Sequence, residues 1–364
     1  MLHGIYLLLI VVFIALWIIQ QFGLLGKKYY LIFSGIILTA VLALRNAEFG
    51  VIDMLRYSWY YDSIRLSESF TEAILHSNGK DMGYWASNYL FAKLGVSFQL
   101  YVSLVAVFCI GSFMYFINKY SVNVIISCFI LLGFGCYTFL FYGLRQAIAL
   151  PIAMFCLDAC YKKKYIKTAL LFILAVLFHW ASVVILPFLL VSRMKFSNLV
   201  AIVYLAALLI MVLFSTQIGH IATLLFSEDY EGTYESSGKI GGLGILVLSL
   251  LVWYIIVFAK FISTSYRITF FLHGFIILCM IQICSAYSYA FTRVNFYYFF
   301  SVLPVAVPMS FSSKCLRPLT GEDNKKISLI LSGVLIVLMI TSFSYFLNGN
   351  GLWDYVFFWE EIAE

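Results

Sequence analysis

Three arginines stand beside or within apolar segments, where charge is costly. Arg145 and the adjacent Gln146 interrupt the run FYGLRQAIALPIA, Arg45 follows a second apolar run, and Arg293 precedes a third. An arginine inside a membrane span costs about 2.5–3.5 kcal/mol on insertion scales, so a retained one calls for a partner or a function. A guanidinium donates two parallel hydrogen bonds and keeps its charge when buried, which suits a phosphate or diphosphate. We therefore expect these four side chains to bind such a group, the alternative being that each arginine extends to the lipid headgroups.

His179 and Asp53 are the residues best suited to proton transfer. His179 lies beside Trp180 in an apolar stretch, and a neutral imidazole there would accept or position a proton near neutral pH. The alternative for such a lone histidine is a hydrogen-bonded packing residue. Asp53 could deprotonate a hydroxyl group, with Glu48 and Asp62 as neighbouring competitors, although an ion pair with a nearby arginine explains Asp53 equally well.

Aromatic residues make up 19% of the chain, and their rings suit carbohydrate as well as membrane surfaces. Most tyrosines and tryptophans near the ends of apolar segments are explained by the ordinary aromatic belt of a membrane protein. The others could stack on sugar rings and hydrogen-bond their hydroxyl groups. The candidates for that contact are Tyr84, Trp180, Tyr230 and Tyr234.

Several classes of catalytic site have no support in the sequence. There is no P-loop, HExxH, GxSxG or CxxC motif, so we predict neither a metal site nor a cofactor. The formal net charge of +6 does not indicate nucleic-acid binding, because the basic residues gather in short loops between apolar segments. Those loops are also too short to hold a sugar-nucleotide-binding domain.

The composition predicts an all-α polytopic transmembrane helix bundle. Of the 364 residues, 63% are hydrophobic and 11% are charged, and the mean hydropathy is +0.99. The apolar residues come in blocks of about 20, the length that crosses a hydrocarbon core as a helix. We expect one membrane domain over 1–364 with about 11–12 membrane segments, including a short hairpin or broken helix near 165–192. The other candidate spans are 3–21, 29–44, 98–117, 122–141, 144–160, 197–216, 241–259, 268–287, 293–311 and 327–347.

Counting the basic loops assigns the two sides of the bundle. Residues 165–192 begin after the lysines at 162–164 and end before Arg193, and both of these mark the inner side, which a single crossing cannot explain. We therefore predict a hairpin of two short or broken helices with His179 at its outer tip, the alternative being one long tilted helix. The same count places four site candidates at the outer side: Arg45, Arg145, His179 and Arg293.

Two longer hydrophilic segments, 45–97 and 221–240, are expected on the outer side because they are acidic or of mixed charge. The first is too short for a separate catalytic domain. Within it, residues 83–95 have the pattern of an amphipathic helix at the membrane interface, with Tyr84 and Trp85 among its aromatic anchors.

Six short motifs occur in order along the chain: LRNAEFGVID (44–53), GYWASNYL (83–90), YGLRQAIA (142–149), the lysines at 162–164, LFHWAS (177–182) and TRVNFYY (292–298). Together they resemble the EpsG-like family, bacterial membrane proteins grouped with the Wzy-type polymerases of O-antigen and exopolysaccharide. The most specific part is the LRQxxA segment followed by the lysines and the FHxS segment. One departure is that two residues separate Gly50 from Asp53, whereas family members carry the aspartate soon after a glycine.

The resemblance implies an enzyme at the outer face of the bacterial cytoplasmic membrane that needs no cofactor. Such a polymerase transfers a polyprenyl-diphosphate-linked glycan to the next lipid-linked repeat unit. The diphosphate would be bound by Arg145 and Arg293 with Arg45, and the acceptor hydroxyl would be activated or oriented by His179 or Asp53. The implied partners are the lipid-linked oligosaccharide, membrane lipid, and flippase and chain-length regulator proteins, with no nucleic acid. A flippase for lipid-linked glycans and an O-antigen-ligase-like transferase are the alternatives.

Overall fold

The computed structural model describes residues 2–48, 52–75, 79–214, 216–218, 221, 265–285, 289–310, 337, 340 and 355–360. In the first part of the chain the helices are α1 (Leu2–Gln21), α2 (Lys27–Ala43), α3 (Ile52–Leu66), α4 (Phe70–Leu75), α5 (Met82–Lys93), α6 (Phe98–Tyr120), α7 (Val124–Gly133) and α8 (Cys136–Phe139). The second part adds α9 (Leu144–Tyr161), α10 (Tyr165–Phe178), a 3-10 helix (Trp180–Ile185), α11 (Leu186–Val191), α12 (Asn198–Leu213), α13 (Tyr266–Cys284), α14 (Tyr289–Ser301) and α15 (Leu303–Ser310).

The predicted all-α membrane bundle is confirmed. Within the described part of the chain, four helical segments are long and apolar enough to cross a membrane: Gly4–Gln21, Phe98–Tyr120, Leu144–Tyr161 and Tyr266–Cys284. Shorter apolar helices, among them α7, α10 and α12, accompany them. Three predicted segments lie wholly or almost wholly outside the described residues: 241–259, 327–347 and the loop 221–240.

Two predicted spans are each divided into two helices. The segment 122–141 forms α7 and the short α8, because Gly135 between them has a left-handed backbone (φ 71°) that ends the first helix. The segment 293–311 forms α14 and α15, because Pro304 lacks the N–H that would continue α14. The Ser127 hydroxyl of α7 donates to the Pro304 carbonyl across 2.6 Å, which ties the two divided spans together.

Residues 165–192 form the predicted hairpin. α10 ends at Phe178. The next residue, His179, has an extended backbone (φ −155°, ψ 112°), and the 3-10 helix and α11 follow. The chain then returns to its starting level, because Arg193 donates a hydrogen bond to the Cys160 carbonyl (3.2 Å) and its guanidinium lies 4.0 Å from the centre of the Tyr165 ring. One long helix would separate Arg193 from Tyr165 by about 40 Å, so that alternative is wrong.

Contacts between helix ends identify the two ends of the bundle. The last turn of α6 meets the first turns of α2 and α13, where Lys27 donates to the Asn118 carbonyl (3.2 Å) and Arg267 donates to the Tyr120 carbonyl. An ion pair joins the last turn of α9 to α6 at the same level. The first turn of α9, which carries Arg145, is therefore at the opposite end, about 25 Å away along the helix axis.

These two ends differ sharply in charge. At the end of Arg145, which we call the balanced end, the described cations and carboxylates are equal in number: Arg45, Arg56, Arg65, Lys80, Lys93, Arg145 and Arg293 against Glu48, Asp53, Asp62, Glu68, Glu72, Asp81 and Glu360. At the other, which we call the basic end, ten described cations face one described carboxylate: Lys27, Lys28, Lys119, Lys162, Lys163, Lys164, Lys167, Arg193, Lys195 and Arg267 against Asp158. The charge asymmetry read from the loops is therefore present in the fold.

α5 occupies the predicted interfacial segment 83–95, but its first aromatic side chains face the protein. Tyr84 and Trp85 are 0% and 6% exposed, so they do not anchor in lipid headgroups as expected. The cause is close packing on the hairpin: a Cβ on Gly83 would lie 3.0 Å from the Leu177 carbonyl oxygen, so this approach favours glycine. The first turn of α5 therefore packs against the tip of the hairpin.

Candidate functional site

Asp81, the residue before α5, joins the hairpin tip to the start of α9. Its carboxylate accepts hydrogen bonds from Arg145 Nη1 (3.0 Å) and from the backbone N–H of Trp180 (2.7 Å), and it lies 3.4 Å from His179 Nδ1. The Asp81 side chain is only 4% exposed. Three residues that the sequence proposed separately, Arg145, His179 and Trp180, therefore meet at one buried carboxylate.

Sequence reasoning missed Asp81, because an aspartate just before a helix is normally explained as an N-cap. Here the backbone carbonyl of Asp81 accepts from the N–H groups of Tyr84 and Trp85, while its side chain makes no cap bond. The residue has a left-handed backbone (φ 53°, ψ 35°), and its carboxylate reaches the hairpin instead of its own helix. The available signal was its place in the outer loop, on the side to which the basic-loop count assigns Arg145 and His179.

The charge of Asp81 is maintained by its neighbours. Burial raises the pKa of this carboxyl, but the hydrogen bond with His179, the charges of His179 and Arg145 and the N–H of Trp180 together hold the pKa below its usual value. Asp81 is therefore an ionised hydrogen-bond acceptor near neutral pH. It orients the groups around it and does not itself donate a proton.

Arg145 is fixed along one edge and open along another. Its Nε lies 3.5 Å from the hydroxyl of Tyr57 on α3, and its guanidinium carbon lies 5.7 Å from the centre of that ring. The side chain is nevertheless 27% exposed. Nη1 is bound to Asp81, whereas Nη2 makes no hydrogen bond to any residue in the described part of the chain. The open edge of the fork is thus available to an anion.

A second ion pair lies beside the first. Arg293 Nη2 on α14 lies 3.4 Å from Asp53 Oδ2 on α3, and the two side chains are 31% and 22% exposed. Asp53 and Tyr57 are four residues apart and share one face of α3, so this face contacts both arginines. Gln146, the residue after Arg145 on α9, links α9 to α14, because its Nε2 donates to the Arg293 carbonyl (2.8 Å).

Arg45 is not part of this arrangement. It is buried, and its guanidinium donates to the carbonyls of Phe141 and Leu140 while lying 4.7 Å from the centre of the Phe141 ring. The segment at 355–360 covers it, since Asn46 donates to the Val356 carbonyl (2.7 Å). Arg45 supports the turn before α9 from inside, and the expected direct contact with an exposed anion has no geometric support.

The aromatic candidates are placed differently from one another. Tyr84 is fully buried, and its ring centre lies 5.8 Å from that of Tyr57, so it supports Tyr57 from behind. Trp180 is half-buried and contributes its backbone N–H to Asp81. The remaining two candidates, Tyr230 and Tyr234, lie outside the described residues.

The balanced end thus combines two partly exposed guanidinium groups with an imidazole that lies beside a carboxylate. Over the residues that the structure describes, no three side chains of histidine, cysteine, aspartate or glutamate are grouped so as to hold a metal ion. The groups present can bind a polyanion, orient a hydroxyl and accept its proton.

Comparison with known proteins identifies the family of the chain. No curated protein and no solved structure matches the chain. The model of the EpsG family matches residues 28–357, which contain the whole hairpin and all four residues of the two ion pairs. The chain therefore belongs to the EpsG family.

Proposed function

We propose that this protein is a polysaccharide polymerase. It transfers a growing glycan from a polyprenyl diphosphate to the next lipid-linked repeat unit, at the outer face of the bacterial cytoplasmic membrane. Membership of the EpsG family supports a Wzy-like polymerase at family level. The observation that carries the proposal is the contact of Arg145 and His179 with Asp81 at the balanced end of the bundle.

The two exposed arginines are suited to the leaving group. Gln146 links the helices that carry Arg145 and Arg293, and both guanidinium groups lie beside α3, at Tyr57 and Asp53. Each side chain retains exposed surface, and the Arg145 Nη2 group, which bonds to no described residue, can donate to a diphosphate. As the anomeric carbon–oxygen bond breaks, negative charge grows on the diphosphate, and fixed positive charge lowers the energy of that state.

His179 is suited to the acceptor hydroxyl. Its Nδ1 faces Asp81 Oδ2, so Nδ1 carries the proton that is shared with the carboxylate, and Nε2 remains a proton acceptor. The acceptor oxygen then attacks the anomeric carbon, its proton passes to Nε2, and the diphosphate leaves with the bonding electron pair. In this scheme Asp53 positions Arg293, and it is the alternative base should His179 prove dispensable.

The charge of the two ends supports the orientation. Basic residues favour the inner side of a membrane, so the basic end faces the cytoplasm and the balanced end faces outward. The glycan substrate would then be reached after it has crossed the membrane. With the site on the outer side, a flippase and a chain-length regulator remain the expected partners. The proposed reaction needs no nucleotide.

The proposal is tested with the purified chain in detergent, given lipid-diphosphate repeat units and nothing else. Glycans of two or more repeat units are the expected product. Repeat units that remain unchanged over many enzyme equivalents would contradict polymerase activity and favour the flippase. Transfer only to an added acceptor of another kind would favour the ligase-like transferase.

A further inference from the structure

We propose that the basic end binds anionic phospholipid headgroups through the turn Lys162–Lys164 and the cations beside it. This surface is about 25 Å from the candidate active site along α9 and has no part in the proposed reaction. Its described cations outnumber its described carboxylates ten to one, whereas the balanced end has equal numbers of each. The excess positive charge therefore belongs to one surface of the fold.

The one described carboxylate at this end cannot repel an anion effectively. Asp158 is 12% exposed, and it accepts hydrogen bonds from Lys119, from Lys162 (2.7 Å) and from the Tyr120 hydroxyl (2.6 Å). Its charge is thus matched by two lysines that it also holds in place. The other cations at this end have no described carboxylate partner.

The lysine turn is kept at a cost in backbone energy. After α9 the N–H groups of Lys163 and Lys164 bond to the carbonyls of Cys160 (3.0 Å) and Ala159 (2.9 Å), which closes the helix end in a Schellman motif. Lys163 occupies the left-handed position of that motif (φ 61°), which glycine fills at least cost. Three successive lysines are therefore retained where the backbone favours glycine in the middle.

The surroundings of the turn fit the headgroup level of a bilayer. The Lys163 ammonium lies 5.9 Å from the centre of the Tyr266 ring, and Arg193 covers Tyr165 at 4.0 Å. Tyrosine side chains of this kind concentrate where a membrane meets water. Cations among them meet lipid phosphates directly.

The same surface also offers room for acyl chains, which selects a phospholipid over a soluble anion. Ile166 and Leu170 follow the lysine turn on α10 and are 80% and 63% exposed. A ligand that contacts both the turn and these side chains carries a phosphate at one end and hydrocarbon at the other. Phosphatidylglycerol has that chemistry together with a net negative charge.

The test measures lipid binding to the purified full chain in detergent by native mass spectrometry. Phosphatidylglycerol and phosphatidylcholine with identical acyl chains are titrated separately. We expect the wild type to bind phosphatidylglycerol more tightly than phosphatidylcholine. In Lys163→Gly and in the double variant Lys164→Gln/Lys167→Gln, the ratio of the two affinities should fall by about fivefold for each lysine removed. The matched control is Arg56→Gln/Arg65→Gln, which removes two exposed cations from the balanced end.

Lys163→Gly separates lost binding from lost folding, because glycine relieves the left-handed strain. Its thermal midpoint should equal or exceed that of the wild type while its preference for phosphatidylglycerol falls. Equal binding of both lipids by the wild type would overturn the proposal. An equal loss of preference in the control pair would also overturn it, because the effect would then follow from net charge alone. Glycan synthesis is not used as a readout, so failure here leaves the proposed function untouched.

Discussion

Arg145 and Asp81 are 64 positions apart in the sequence and are joined by a 3.0 Å ion pair between Nη1 and Oδ2. The pair connects the first turn of α9 with the residue before α5, and the same carboxylate holds the tip of the hairpin through His179 and Trp180. Three elements that are distant along the chain are therefore fixed at one point. A guanidinium and an imidazole therefore lie beside the same carboxylate.

Replacing Asp81 with asparagine should impair the proposed active site while leaving its packing nearly unchanged. The amide has nearly the same size but cannot neutralise Arg145, and it no longer fixes the tautomer of His179. We expect the rate of glycan extension to fall by about 10²-fold or more. Glu68→Gln, which neutralises an exposed carboxylate between α3 and α4, is the control and should keep the wild-type rate. Near-normal extension by Asp81→Asn would mean that the carboxylate has only a packing role.

The ionised state of Asp81 predicts how stability depends on pH. Its pKa is lowered in the folded protein, so its contribution to stability is complete above the unfolded value of about 3.9 and is lost as the pH falls through the lower folded value. The difference between the thermal midpoints of wild type and Asp81→Asn at pH 7 should therefore still be present at pH 5. The difference should shrink only below about pH 4. A difference that already disappears between pH 7 and pH 5 would exclude an ionised Asp81 with a lowered pKa.

Asp53 and Arg293 should behave as one unit. If Asp53 only positions Arg293, the loss caused by Asp53→Asn should be much smaller in an Arg293→Gln background than in the wild type. The measurement is a double-mutant cycle on the initial rate of extension. Fully additive losses would indicate that Asp53 acts on the acceptor by itself, as a base.

Gly83 should be intolerant of a side chain. Gly83→Ala places a Cβ 3.0 Å from the Leu177 carbonyl oxygen, and the resulting shift of α5 from the hairpin should cost about 1–3 kcal/mol of stability. Gly111→Ala on α6 is the control, because no atom lies within 4 Å of its added Cβ. That change should stabilise the protein by about 0.5–1 kcal/mol, since alanine favours a helix interior. Thermal unfolding of the two variants in one detergent should thus shift in opposite directions.

Most of the fold could be predicted from the sequence, because a membrane-spanning helix needs an apolar segment of about 20 residues. Apolar length predicted the spans, and the basic residues at both ends of 165–192 required a return, which the contact of Arg193 with Tyr165 confirms. The internal breaks were less accessible. They depend on single backbone positions such as Gly135 and Pro304, inside segments that are apolar throughout.

The candidate site could be predicted only in part, because the burial of a side chain and its hydrogen-bond partners depend on the tertiary structure. Arg145 and His179 could be placed on one side by counting loops, but nothing local distinguishes Asp81 from an ordinary helix cap. Arg45 carries the same charge as Arg145, yet its Nη1 and Nη2 groups donate to the carbonyls of Phe141 and Leu140 before α9. Tyr84 was expected at a surface and is buried, because the close approach at Gly83 brings α5 onto the hairpin.

The most direct measurement follows bond formation and the leaving group in one sample. Purified wild type and Arg145→Lys are each given lipid-diphosphate repeat units, and chain extension and released polyprenyl diphosphate are measured together, with Arg56→Lys as the control for an exposed arginine. The wild type should release one lipid diphosphate for each unit added, and Arg145→Lys should slow both by about 10²-fold because the ammonium lacks the fork. Extension without release of the diphosphate, or an Arg145→Lys rate equal to that of the wild type and the control, would contradict an arginine-bound diphosphate as the leaving group.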